Sequence, residues 1–162
     1  MLISVLSGPL ASAAIAENAP VSVGSRIPGL SLPSIMGGTL DLDGYKGKTL
    51  LLTFYTTWSR SCVDALKFQK ALSGTYKDLE IVTVAFENKT STVKDFVEKN
   101  GINFISLIDK KNKYLNEFQI LIIPTAYLID GNGTIRNIYV DFDDRIKQSM
   151  ISGIEDLLDS GK

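Results

Sequence analysis

The stretch Leu50-Leu51-Leu52-Thr53-Phe54-Tyr55-Thr56-Thr57-Trp58-Ser59-Arg60-Ser61-Cys62 decides how the chain is read. With Thr49, its first half forms a near-continuous apolar run, TLLLTFY, the pattern of a central strand covered on both faces. A helix should follow. Ser59 is a good N-cap, and Val63, Leu66, Ala71 and Leu72 recur at helical spacing until Gly74 interrupts near the end. A buried strand thus leads directly into a helix, with Trp58, Ser59 and Cys62 at the junction.

Working outward, short apolar runs alternate with amphipathic segments, and no internal repeat appears. Upstream, residues 30–35 and 39–42 read as short strands around Gly37-Gly38, a pair suited to the positive φ angles of a hairpin turn. Downstream, residues 81–86 (IVTVAF) give a second buried strand. Thr90, Ser91 or Thr92 can cap a helix bearing Val93, Phe96 and Val97, with Asn100-Gly101 as a left-handed C-cap. Residues 104–108 read as a strand and residues 111–118 as a short helix that the run Lys110-Lys111-Asn112-Lys113 opens. The chain then reaches Pro124 and a strand over 125–129. Asp130-Gly131-Asn132-Gly133 turns it into a strand over 134–140. A last helix, started by Asp143, carries Ile146, Met150, Ile154 and Leu157 or Leu158. The order predicts an α/β fold: a central mixed sheet flanked by helices, with an N-terminal β-hairpin extension.

Composition narrows the chemistry. At 162 residues, 44% hydrophobic and 22% charged, the chain fits one soluble globular domain, assigned to residues 21–162. A net charge of −1 supplies no basic excess for phosphates, so nucleic acid is not an expected partner. Histidine is absent, which removes Ser/His/Asp and Cys/His catalysis. With a single cysteine, Cys62, no intrachain disulfide and no thiolate cluster can form. No cofactor or metal is expected. The Asp141-Phe142-Asp143-Asp144 run lacks calcium-loop spacing, and Asp143 within it is read as helping to start the last helix. Residues 1–20 are read as a signal or anchor remnant, or a disordered leader. Residues 1–16 carry no charge, and Ala11-Ser12-Ala13-Ala14 has the look of a signal-peptidase region. Sixteen residues fall short of the ~20 that span a bilayer, and Gly8-Pro9 breaks a continuous helix.

The decisive stretch resembles the strand-to-helix junction of the TlpA/ResA-like extracytoplasmic thiol-disulfide oxidoreductases, whose motif there is Trp-Cys-x-x-Cys. The resemblance continues through Gly47-Lys48, Ile123-Pro124-Thr125 at the family's cis-proline position, and Leu128-Ile129-Asp130-Gly131-Asn132-Gly133. It implies a thioredoxin-like fold over about residues 22–160. In that family the first cysteine attacks disulfides from a helix N-terminus, where orphan amides favour a thiolate, and the second resolves the mixed disulfide. Here Ser59 holds the attacking position and Cys62 the resolving one. The residue before Cys62 is Ser61 where proline is common, and Ala65 stands where glutamate is common. Thr53, inside the preceding strand, has no ionisable group to relay a proton.

These residues imply catalytic positions at Cys62 and Ser59, and a substrate surface at Trp58, Ile123 and Pro124. Dithiol exchange is chemically impossible with Ser59 as it stands. Ser59 fits an introduced change as well as natural loss of the exchange chemistry. Cys62, beside Val63 and Leu66, also fits a small buried hydrophobe. Three functions follow: an oxidoreductase of this type that is inactive in dithiol exchange, a redox-inactive binding module using the groove between Trp58 and Pro124, or a peroxiredoxin-like thiol peroxidase using Cys62. By resemblance, partners would be thiols or disulfides of exported proteins, apocytochromes among them. The expected location is the bacterial periplasm or the outer face of the membrane, with membrane attachment only through the N-terminal segment.

Overall fold

A computed structural model describes residues 21–161, and the expected leader over residues 1–20 lies outside the described residues. The apolar run forms the middle of the sheet. Strand β3 (Thr49–Tyr55) is flanked by β4 (Leu79–Ala85) in parallel and β6 (Thr125–Ile129) in antiparallel fashion. Strand β5 (Ile105–Ile108) extends the β4 side in parallel, and β7 (Ile135–Val140) closes the other side antiparallel to β6, giving the order β5-β4-β3-β6-β7. A separate antiparallel hairpin, β1 (Ser31–Pro33) with β2 (Thr39–Asp41), precedes it, turning through Gly37 and Gly38 at φ +104° and +74°. The molecule therefore has the mixed α/β architecture read from the sequence. One antiparallel junction beyond the final hairpin, β3 with β6, comes from the long return through Pro124.

Because a strand's side chains alternate, β3 feeds two cores. Leu50, Leu52 and Phe54 face the hairpin and α3 (Lys113–Glu117), packing with Val82, Val84, Phe118 and Tyr127. Leu51 and Tyr55 face the helical layer of α1 (Arg60–Thr75), α2 (Thr90–Lys99) and α4 (Asp144–Ser160). Both Leu51 and Leu52 are fully buried, and each such side chain contributes roughly 1.5–3 kcal/mol.

The helices differ from the sequence expectation at their ends. Helix α1 runs through Gly74 to Thr75, since an isolated glycine costs only ~1 kcal/mol inside a helix. Helix α2 begins at Thr90 behind Lys89, with no side-chain cap, so none of Thr90, Ser91 and Thr92 is the N-cap. Helix α3 starts at Lys113 rather than residue 111. Asn112 is left-handed at φ +52°, and the buried Asp109 carboxylate accepts the N–H groups of Lys113 and Tyr114. Lys110 and Lys111 precede that helix. At α4 the Asp143 carboxylate accepts the Ile146 N–H at 2.8 Å, the capping role expected of it.

Candidate functional site

The site lies at the ends of β3 and β4 that lead into helices. Ser59 takes extended backbone angles and its Oγ accepts the Cys62 N–H at 3.4 Å, so it caps α1 as its sequence position suggests. Cys62 sits in the first turn behind it and is fully buried, among Tyr55, Leu66, Ala85 and Val93 in one apolar cluster. Trp58, by contrast, is 77% exposed. Ile123 is half-buried against the cluster that holds Cys62, and Pro124, joined to it by a cis peptide, is buried.

Asp141, just past β7, ties these parts together. Its backbone N–H donates to the Pro124 carbonyl at 2.8 Å, and its Oδ1 accepts from Ser61 Oγ at 2.9 Å and from the Phe142 N–H at 2.8 Å. One residue thus bonds to the turn at Pro124 and to the first turn of α1. On the other side of β3, Glu87 accepts from both the backbone N–H and the hydroxyl of Thr57, holding the segment that leads to Trp58. Behind the helix, Thr53 Oγ1 donates to Gln69 Oε1 at 3.0 Å, and Thr83 and Ser106 pair their hydroxyls at 3.0 Å. Burial pushes the Tyr55 phenol well above its ordinary range, so that group stays protonated. Among the described residues no group of three His, Cys, Asp or Glu side chains could hold a metal ion.

Residues 23–138 match the AhpC/TSA family. The thiol-disulfide oxidoreductase ResA of Geobacillus kaustophilus (strain HTA426) is 32% identical over 124 residues, covering 75% of this chain and 71% of that protein. This chain belongs to the AhpC/TSA family, among its ResA-like members. A thioredoxin-like protein, YneN of Bacillus subtilis (strain 168), is likewise 32% identical over 125 residues, covering 74% of this chain and 72% of the relative. The fold recurs in a solved structure assigned as the thiol:disulfide interchange protein DsbE of Chlorobium tepidum. That likeness has a TM-score of 0.81 at 24% identity, over 85% of this chain and 99% of the other.

Within the ResA-like frame, the structure brings Ser59, Cys62, Ile123 and Pro124 to one end of the sheet, with Trp58 standing into solvent beside them. Sequence reasoning missed Asp141, Glu87 and Gln69. Asp141 stands out in the sequence only as the first member of an acidic run, and its link to Ser61 spans 80 residues of chain. Glu87 had a usable signal: it lies just beyond the carboxyl end of a parallel strand, where α/β proteins place their sites. Gln69 falls seven residues after Cys62, on the buried face of α1. Arg60, the cation next to the Ser59 cap, faces Asp64 at 4.0 Å and is 96% exposed, a pairing of little energetic weight.

Proposed function

We propose that this chain works as a ResA-type thiol-disulfide protein whose docking groove is intact and whose dithiol exchange is not. Its substrates are extended, cysteine-bearing segments of exported polypeptides, apocytochromes among them, met outside the cytoplasm. The observation that carries this reading is the pairing of Ser59 with Cys62: a hydroxyl caps the helix where an attacking thiolate would stand, and the chain's one thiol is buried behind it. A disulfide exchanges when a thiolate attacks one sulfur and the other leaves. The Ser59 hydroxyl cannot end as half of a disulfide, and Cys62 has no second thiol in this chain to release a mixed disulfide. Trp58 and Ile123, next to the turn that the buried Pro124 shapes, remain as a surface for the segment.

No helix among the described residues is long and apolar enough to cross a membrane. On this reading any membrane attachment belongs to the residues before Val21.

The test is turnover on an insulin-type protein disulfide with a thiol reductant present. The chain as it stands is expected to give none above the reductant alone, while Ser59→Cys gains turnover. Multiple turnovers by the chain with Ser59 in place, lost in Cys62→Ser, would overturn the reading.

A further inference from the structure

We propose that the groove beside Ser59 selects extended apolar segments carrying a cationic side chain, and that the Asp141 carboxylate makes the selection. This rests on the reading of the groove as a docking surface for exported polypeptides. Trp58, Leu121 and Ile122 stand 77%, 95% and 51% exposed, one leading into α1 and two leading into Pro124. Large apolar side chains left exposed next to the Ser59 cap and the Pro124 turn fit a surface that is covered in use. They fix the apolar character of the occupant and leave its charge open.

The charged groups nearest the Pro124 turn bear on that choice. Arg60 already faces Asp64, and Arg145 and Lys147 are engaged by Asp143 and Asp144. Asp141 receives only the Ser61 hydroxyl and its neighbour's N–H, and Glu87 only the donors of Thr57; no cation among the described residues pairs with either. The Asp141 N–H bonds to the Pro124 carbonyl, so its carboxylate is held beside the backbone that an extended segment would lie along. A lysine or arginine in such a segment meets an uncompensated carboxylate there, whereas a glutamate meets like charge. The backbone bond to Pro124 needs only the N–H of residue 141 and not its carboxylate. The carboxylate is what adds a preference.

Trp58 is the single tryptophan of the chain, so its fluorescence reports on the groove directly. The full chain is titrated with three short, cysteine-free apolar peptides that differ only in a central Lys, Gln or Glu. An exposed pair of this kind predicts that the Lys peptide binds about two- to five-fold tighter than the Glu peptide. Raising salt to about 0.5 M should bring that ratio close to one. Asp141→Asn should also bring it close to one at low salt. Its amide oxygen can still accept from Ser61, and asparagine tolerates the positive φ of +66° found here. Asp78→Asn, which removes one carboxylate near the opposite end of β4, should leave the ratio in place. Equal binding of the three peptides by the unaltered chain, or a salt-insensitive ratio, overturns charge selection while docking stands. A ratio that survives Asp141→Asn overturns the role of Asp141. Absence of binding by every peptide overturns the docking reading itself, and the proposal with it.

Discussion

Thr53 Oγ1 and Gln69 Oε1 lie 3.0 Å apart, with both side chains sealed from solvent at 0% and 1% exposure. The pair links the middle of the central strand to the helix that carries Cys62. Both groups are neutral, so this contact positions the helix and cannot take up a proton during exchange chemistry.

Thr53→Val removes the donor and leaves the Gln69 carbonyl oxygen buried without it, which should cost ~1–3 kcal/mol of stability. Pairing it with Gln69→Met replaces both partners by apolar groups, and the double variant should be more stable than Thr53→Val alone. Urea denaturation of the two single variants and the double checks this. A double variant that simply sums the two losses would show that the bond does not couple the two positions.

Cys62 is fully buried in an apolar cluster, so its reactivity is gated by opening of the fold. Thiol reagents and peroxide should modify it slowly in the native protein and rapidly in denaturant, and an oxidised dimer should appear only after unfolding. A peroxiredoxin-like activity needs the reverse, a thiol open to peroxide in the folded state. Fast peroxide consumption by native protein, abolished in Cys62→Ser, would count against the burial argument.

Asp143 caps α4, and its hydrogen bond from the Ile146 N–H, helped by Arg145, holds its carboxyl below the usual carboxylate range. A lowered pKa in the folded state means stability that is fully present above the unfolded value and is lost as pH falls through the folded one. Asp143→Asn should therefore melt below the unaltered protein at neutral pH, and the gap should close as pH drops below about 4. Thermal melts at several pH values read the gap, and a gap independent of pH would remove the charge from the explanation.

Gly153 lies inside α4 against β7, and a Cβ there would run into the Tyr139 hydroxyl and approach Asn137. Alanine would gain ~1 kcal/mol in helix propensity, but forcing an atom into a packed interface typically costs ~1–3 kcal/mol. Tyr139 is 2% exposed and packed in the core on the α4 side of the sheet, so moving its ring would disturb that packing. Gly153→Ala is thus expected to lower stability, and adding Tyr139→Phe should recover part of the loss. Stabilisation by Gly153→Ala alone would contradict the packing seen here.

How much of this was legible depended on whether the information was local. The run from Thr49 to Tyr55, the Ser59 cap and the Asp130–Gly133 turn each announce themselves within a few residues, because covered strands, caps and turns have composition of their own. Helix starts that borrow a partner from elsewhere did not. Helix α3 begins where the Asp109 carboxylate and left-handed Asn112 set it, and neither effect shows in apolar spacing. The site divided in the same way. Ser59 and Cys62 were readable from one motif, whereas Asp141 acquires its place only when β7 ends beside Pro124, a meeting that sequence spacing does not encode.

Ser59→Cys tests the local geometry most directly. Ser59 Oγ already lies 3.4 Å from the Cys62 backbone nitrogen, so the side chain at position 59 points back over the first turn of α1. A sulfur there and the Cys62 sulfur would be separated by one helical turn, within the Cα range of roughly 4.4–6.8 Å that disulfides accept. Oxidation should then form a reversible intramolecular bond with loss of two thiols by titration and no dimer. The two sulfurs should behave unequally. The introduced thiol sits at the half-exposed cap and should be alkylated first in the reduced native protein, while Cys62 stays protected until the fold opens. Mass spectrometry after a brief alkylation pulse separates the two. Closure with the expected order supports the placement of an attacking and a resolving position in this helix turn. Equal labelling would mean that the burial of Cys62 does not gate its chemistry, and failure to close in folded protein would mean that position 59 is not where the exchange sulfur belongs.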